Sequence, residues 1–84
     1  MEIEVGNVTA FFARSMVAGI DLTAQVSLGD RLHVKGHTTD LELTIESMQI
    51  DNAVVSQATA GSSVGIKVPD RVRPGDHVYR VSED

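Results

Sequence analysis

The sequence predicts an all-β fold: a single closed six-stranded barrel spanning residues 1–84. Three observations predict it. Leu41 to Ile50 alternates apolar and polar side chains with period two, the pattern of a half-buried strand. Val, Ile and Thr are abundant, and almost no stretch favours helix. Six apolar runs are separated by turns, and closure is how so small a sheet removes its edges.

The first strand is read at Glu2 to Arg14. Ile3 and Val5 share one face; Val8, Ala10 and Phe12 share a face after a parity shift at Gly6-Asn7. Gly within a strand marks a bulge or bend. Arg14-Ser15 forms a turn, and Ala18, Ile20 and Leu22 define the inner face of a second strand.

Three segments then repeat one turn solution. They are Leu28-Gly29-Asp30, Ala60-Gly61-Ser62 and Pro74-Gly75-Asp76, each followed by a short strand. The Gly permits positive φ, and the next Asp or Ser can hydrogen-bond the turn backbone. The spacings between the three are unequal, so this is no solenoid.

Lys35-Gly36-His37-Thr38 joins the third strand to the long Leu41–Ile50 strand. In that central strand Leu41, Leu43 and Ile45 share a face, but Met48 and Ile50 have the opposite parity. One inserted residue explains the flip, so a β-bulge is expected at Glu46-Ser47. Asp51 to Thr59 is read as a loop crossing the barrel end. Val68-Pro69 closes the fifth strand, and Glu83-Asp84 is read as a frayed tail. The expected interior is Leu32, Val34, Leu41, Leu43, Ile45, Val64, Ile66 and Val78.

Composition narrows the function. Eighty-four residues make one domain that buries roughly 60–65% of its unfolded surface. There is no cysteine, hence no disulfide and no thiolate metal site. Glu2 and Glu4 follow Met1, and no apolar run reaches membrane-spanning length. A soluble cytoplasmic chain without membrane contact is expected. Twelve acidic residues against seven basic ones give −5, which disfavours general nucleic-acid binding. Phe11, Phe12 and Tyr79 offer little for base stacking.

No residue pattern declares a reaction. His33 and His37 have helical metal-ligand spacing but flank a hairpin, and His77 lies far off, so rim histidines are expected rather than a metal site. There is no Gly-x-Ser-x-Gly elbow and no Gly-rich phosphate loop. Asp40, Glu42, Glu46 and Asp51 read as a solvated outer face, with a docking surface for a basic partner as the functional alternative. Lys67, Arg71, Arg73 and Arg80 either balance those acids or form a small anion patch.

Taken together, several segments resemble domain 2 of elongation factor Tu and related translational GTPases. They are Val5-Gly6-Asn7-Val8-Thr9, Val26-Ser27-Leu28-Gly29-Asp30, Lys35-Gly36-His37-Thr38-Thr39, Ile45 to Ile50, Ala58 to Ile66, and Arg73-Pro74-Gly75-Asp76. The Gly-Asp turn before a strand and Ala-Gly-x-x-Val-Gly are the most specific. Stand-alone translation elongation factor-like proteins have this size, and a similar barrel ends collagenase-like peptidases. The resemblance implies a six-stranded Greek-key barrel without a catalytic role. In the elongation factor, a Glu before a Met in the bulged strand lines the pocket for the tRNA 3′ adenosine. The matching position here is Ser47, before Met48, with Glu46 one place earlier.

The resemblance thus implies a ligand site at Glu46, Ser47, Met48, Gly61, Val64 and Gly65. The function it implies is a non-catalytic binding module for a protein partner, or for ribosome- or tRNA-associated RNA. The alternative is a separately encoded accessory domain of a collagenase-like peptidase that positions a catalytic partner. No enzyme activity, cofactor or metal is expected.

Overall fold

The computed structural model describes residues 1–82, and the expected tail at Glu83-Asp84 lies outside them. The fold is all-β, with ten strands and no helix among the described residues. These are β1 (Glu2–Phe12), β2 (Val17–Leu22), β3 (Val26–Ser27), β4 (Arg31–Lys35) and β5 (Asp40–Thr44), followed by β6 (Met48–Ile50), β7 (Ala53–Val54), β8 (Gln57–Ala58), β9 (Ser63–Lys67) and β10 (His77–Val81). Eight of them form one antiparallel sheet in the order β5-β4-β10-β1-β2-β9-β6-β7; β3 and β8 pair separately.

The expected closed six-stranded barrel is corrected by this order. The ladder is open, and β5 and β7 are its two ends. The sheet nevertheless curls around one continuous apolar core. Leu41 and Leu43, from one end of the order, pack against the same cluster that contains Met48, near the other.

The long alternating run is divided, not bulged. β5 pairs with β4, whereas β6 pairs with β9 and β7. Between them Ile45-Glu46-Ser47 leaves both ladders. Ile45 and Met48 are both buried, so the parity flip is real. Its cause is a corner that carries the chain from one end of the sheet order towards the other. The run is therefore not a central strand. Six of the expected interior residues are fully buried; Leu41 and Leu43 are half-buried, because β5 has a neighbour on one side only.

β1 bends twice. Its pairing with β10 slips between Glu4 and Gly6, which lets Val5 and Val8 both point inward. A second slip against β2, between Val8 and Ala10, turns Phe11 towards the core and Phe12 to solvent. The expected shared face of Val8, Ala10 and Phe12 is lost at this second slip.

The three Gly turns do adopt positive φ, at Gly29, Gly61 and Gly75. Asp30 and Asp76 each cap their own turn, accepting from the Ser27 and Arg73 N–H at 2.9 and 2.8 Å. Each turn also grips one buried residue by both backbone groups. The Gly75 N–H donates to the Val8 carbonyl, and the Val8 N–H donates to that of Asp76. Gly61 and Ser62 hold Leu22 in the same way, and Gly29 and Asp30 hold Ile45. The last grip fixes the corner after β5.

Asp51-Asn52 was expected to begin a long loop. Both residues instead have positive φ and close a two-residue hairpin between β6 and β7, as type I′ turns require. β8 follows and pairs with β3.

Candidate functional site

The six residues of the expected ligand site do not converge. Glu46 and Ser47 are exposed in the corner between β5 and β6. Met48 is 0% exposed and faces inward opposite Ile66, and Val64 is buried opposite Ile20. Gly65, one residue on, faces outward beside Gln49. Gly61 lies beyond the start of β9, its N–H given to Leu22. Alternation along β9 separates them: neighbours in sequence go to opposite faces of the sheet.

Glu46 instead lines a depression of about 310 Å³ with Leu43, Thr44, Lys67, Val68 and Pro69. Its floor is apolar and its walls carry one carboxylate and one ammonium group. Neither forms an ion pair with the other or with another described residue. Gly65 borders a different hollow of about 420 Å³, with Phe12, Val17, Gln49 and the Asp51-Asn52 hairpin.

The four late cations are dispersed as well. Arg71 stands 5.9 Å from the Phe11 ring centroid, and Arg73 shares a shallow hollow with both. Arg80 donates to the Gln25 carbonyl at 2.5 Å, and Lys67 lies in the Glu46 depression. Their expected pairing with the acidic face is not what forms. The carboxylate of Glu42 takes Arg31 of β4, at 3.0 Å.

The most connected polar group lies on the outer face of β1, β10, β4 and β5. His33 was expected at the rim but is only 9% exposed. Its Nδ1 is 2.6 Å from Glu2 Oε2 and its Nε2 is 2.5 Å from Asp40 Oδ1. Lys35 Nζ lies 3.4 Å from the other Glu2 oxygen. The hydrogen bond to Glu2, then that to Asp40, raise the His33 pKa above its ordinary value. Hydrogen bonding to His33 lowers that of Glu2. An imidazolium donating both N–H groups is the form that satisfies both carboxylates. A histidine so engaged has no free lone pair to act as a base. Part of the signal was present in the sequence: with Leu32 and Val34 inward, His33 faces outward, but which carboxylates meet it was set by the sheet order.

His77 Nδ1 is 2.7 Å from Glu4 Oε2 on the same face, in the open. Among the described residues no three His, Asp or Glu side chains are arranged to hold a metal ion.

Similarity to known proteins points in one direction. The chain is 39% identical over 83 residues to an uncharacterized protease of Methanocaldococcus jannaschii, matching 98% of this chain and 20% of that protein. It is 31% identical over 81 residues to a collagenase of Porphyromonas gingivalis, again covering 20% of it. The chain thus spans about a fifth of the length of the curated relatives it matches. No protein-family model matches the sequence. In structure it resembles the C-terminal domain of a Geobacillus thermoleovorans protein assigned to the U32 peptidases, with a TM-score of 0.88 and 16% identity. That match covers 94% of this chain and 92% of the other. A selenomethionine variant of the same domain superposes with a TM-score of 0.85.

These similarities overturn the expected assignment to translation, which rested on the elongation factor resemblance. The end-to-end similarity is to protease and collagenase chains. No helix among the described residues is long and apolar enough to cross a membrane. The chain is similar in sequence to one segment of collagenase-like proteases and has the fold of a U32 peptidase C-terminal domain.

Proposed function

We propose that this chain is a non-catalytic accessory module of a collagenase-like peptidase, positioning a separate catalytic partner. The observation that carries it is the alignment of nearly the whole chain with one-fifth of a protease. In this reading the reacting groups come from the partner, and the aligned segment, one-fifth of such a protein, positions them. The side chains of this domain agree with that division. His33, the most buried histidine, has both ring nitrogens committed to carboxylates. The Ser63 hydroxyl donates to Asp21 rather than to a histidine. Neither is a serine–histidine pair of the kind that activates a nucleophile.

The test is to purify the 84-residue chain, with and without a co-expressed peptidase-like subunit, and to follow gelatin cleavage. The chain alone should leave gelatin intact. It should co-elute with the subunit and change its rate or its cleavage sites. Cleavage by the chain alone, abolished by substituting one of its own residues, would refute the proposal.

A further inference from the structure

β5 is an end of the sheet order, and among the described residues no strand pairs with its outer edge. The β4·β5 register sets Leu32 opposite Leu43 and Val34 opposite Leu41. Just beyond the strand ends, the Ile45 N–H donates to the Asp30 carbonyl and the Gly36 N–H to that of Thr39. Odd-numbered residues of β5 therefore bond towards β4, because antiparallel ladders alternate. Asp40, Glu42 and Thr44 turn their N–H and C=O groups away from it. None of these outer groups makes a backbone bond to another described residue.

This edge runs into the depression formed by Leu43, Thr44, Glu46, Lys67, Val68 and Pro69. Unpaired strand edges are templates for another strand. A second copy of this chain is a poor occupant. Antiparallel pairing centred on Glu42 would oppose two Glu42 carboxylates, and each copy carries −5. A heterologous strand suits the site better. On its inner side it would continue the Leu41 and Leu43 row and cover the apolar floor. On its outer side it would lie beside Asp40 and Glu42, whose carboxylates also hold His33 and Arg31, and near Glu46, which has no ion-pair partner among the described residues. Alternating apolar and basic side chains meet both conditions.

We propose that the free edge of β5 is a strand-addition site for an extended segment of a protein partner, with apolar and basic residues in alternation. The inference rests on the accessory-module reading and names the surface such a partner would use. Main-chain bonds would supply affinity and the depression would supply selectivity.

A capped hexapeptide alternating lysine and valine is the probe, titrated into isotope-labelled protein at low salt. Amide shifts should concentrate at Asp40–Thr44 and at Lys67 and Val68. Thr44→Pro removes an edge-facing N–H that β4 does not use, a substitution edge strands tolerate. It should weaken binding about tenfold with little change in melting temperature. Glu46→Lys should weaken binding of this probe and strengthen that of one with glutamate in place of lysine. A probe N-methylated at alternate amides leaves the protein untouched, and it should not bind. Equal binding of the methylated probe would overturn the proposal, as would shifts confined to β7 or an unaffected Thr44→Pro protein. The assay needs no peptidase subunit, so its failure would leave the accessory reading to its own test.

Discussion

His33 on β4 is tied to Glu2 on β1 across the intervening strand β10, with 2.6 Å between Nδ1 and Oε2. The same ring holds Asp40 on β5, so one imidazolium joins three of the four strands on this side of the sheet.

The clamp gives stability a pH dependence with two limits. The His33 pKa is raised on folding, so its contribution is complete below the unfolded value of about 6.5. It is lost as pH rises through the higher folded value. The Glu2 pKa is lowered, so its contribution is present above about 4.5 and lost as pH falls through the folded value. The melting temperature should therefore fall as pH rises above about 6.5 and His33 deprotonates. His33→Gln should flatten that fall. A melting profile of the variant parallel to the wild type across this rise in pH would remove His33 as its cause.

Gly6 and Gly61 should differ sharply when replaced by Ala. A Cβ at Gly6 would lie 2.4 Å from the Asp21 carbonyl oxygen and 3.1 Å from Ile20 Cγ2. The backbone there is in a ladder and cannot retreat, so Gly6→Ala should cost about 3 kcal/mol. A Cβ at Gly61 meets nothing within 4 Å, but φ is +91°. Gly61→Ala should cost about 1 kcal/mol, from backbone strain alone. Urea unfolding of both variants would check the order; equal losses would contradict it.

Met48 and Ser47, adjacent in sequence, should separate stability from binding. Met48 is fully buried, so Met48→Ala should cost about 2–5 kcal/mol. Ser47 is exposed at the corner, and Ser47→Ala should change stability by less than about 0.5 kcal/mol. Denaturant midpoints distinguish the two. A large loss at Ser47 would mean that the corner is braced by that hydroxyl.

The Arg31–Glu42 pair tests how much the outer face matters. Both side chains are about half exposed, at 50% and 55%. Exposed pairs contribute little, so Glu42→Gln should shift stability by no more than about 1 kcal/mol, and less at high salt. A larger, salt-independent loss would show a structural role for Glu42 beyond the pair.

By itself the sequence determined the all-β class, the three positive-φ Gly turns, and a parity flip beside Gly6 and another at Glu46-Ser47, but not the second slip of β1 between Val8 and Ala10. Each is local: a turn residue or a period of two is written within a few positions. Tertiary structure alone decided what those signals meant. A parity flip looks the same for a bulge and for a chain leaving one ladder for another. Ile45 separates the two, because its backbone is bonded to the Gly29-Asp30 turn, which no local pattern announces. The fate of the proposed site residues was likewise non-local. Met48 and Val64 became core because of the strands opposite them, and Glu46 shares a depression with Lys67 only because the corner after β5 passes the end of β9. Sheet order, and with it the open edge of β5, depends on pairings between residues far apart in the chain, which side-chain alternation within one strand cannot specify.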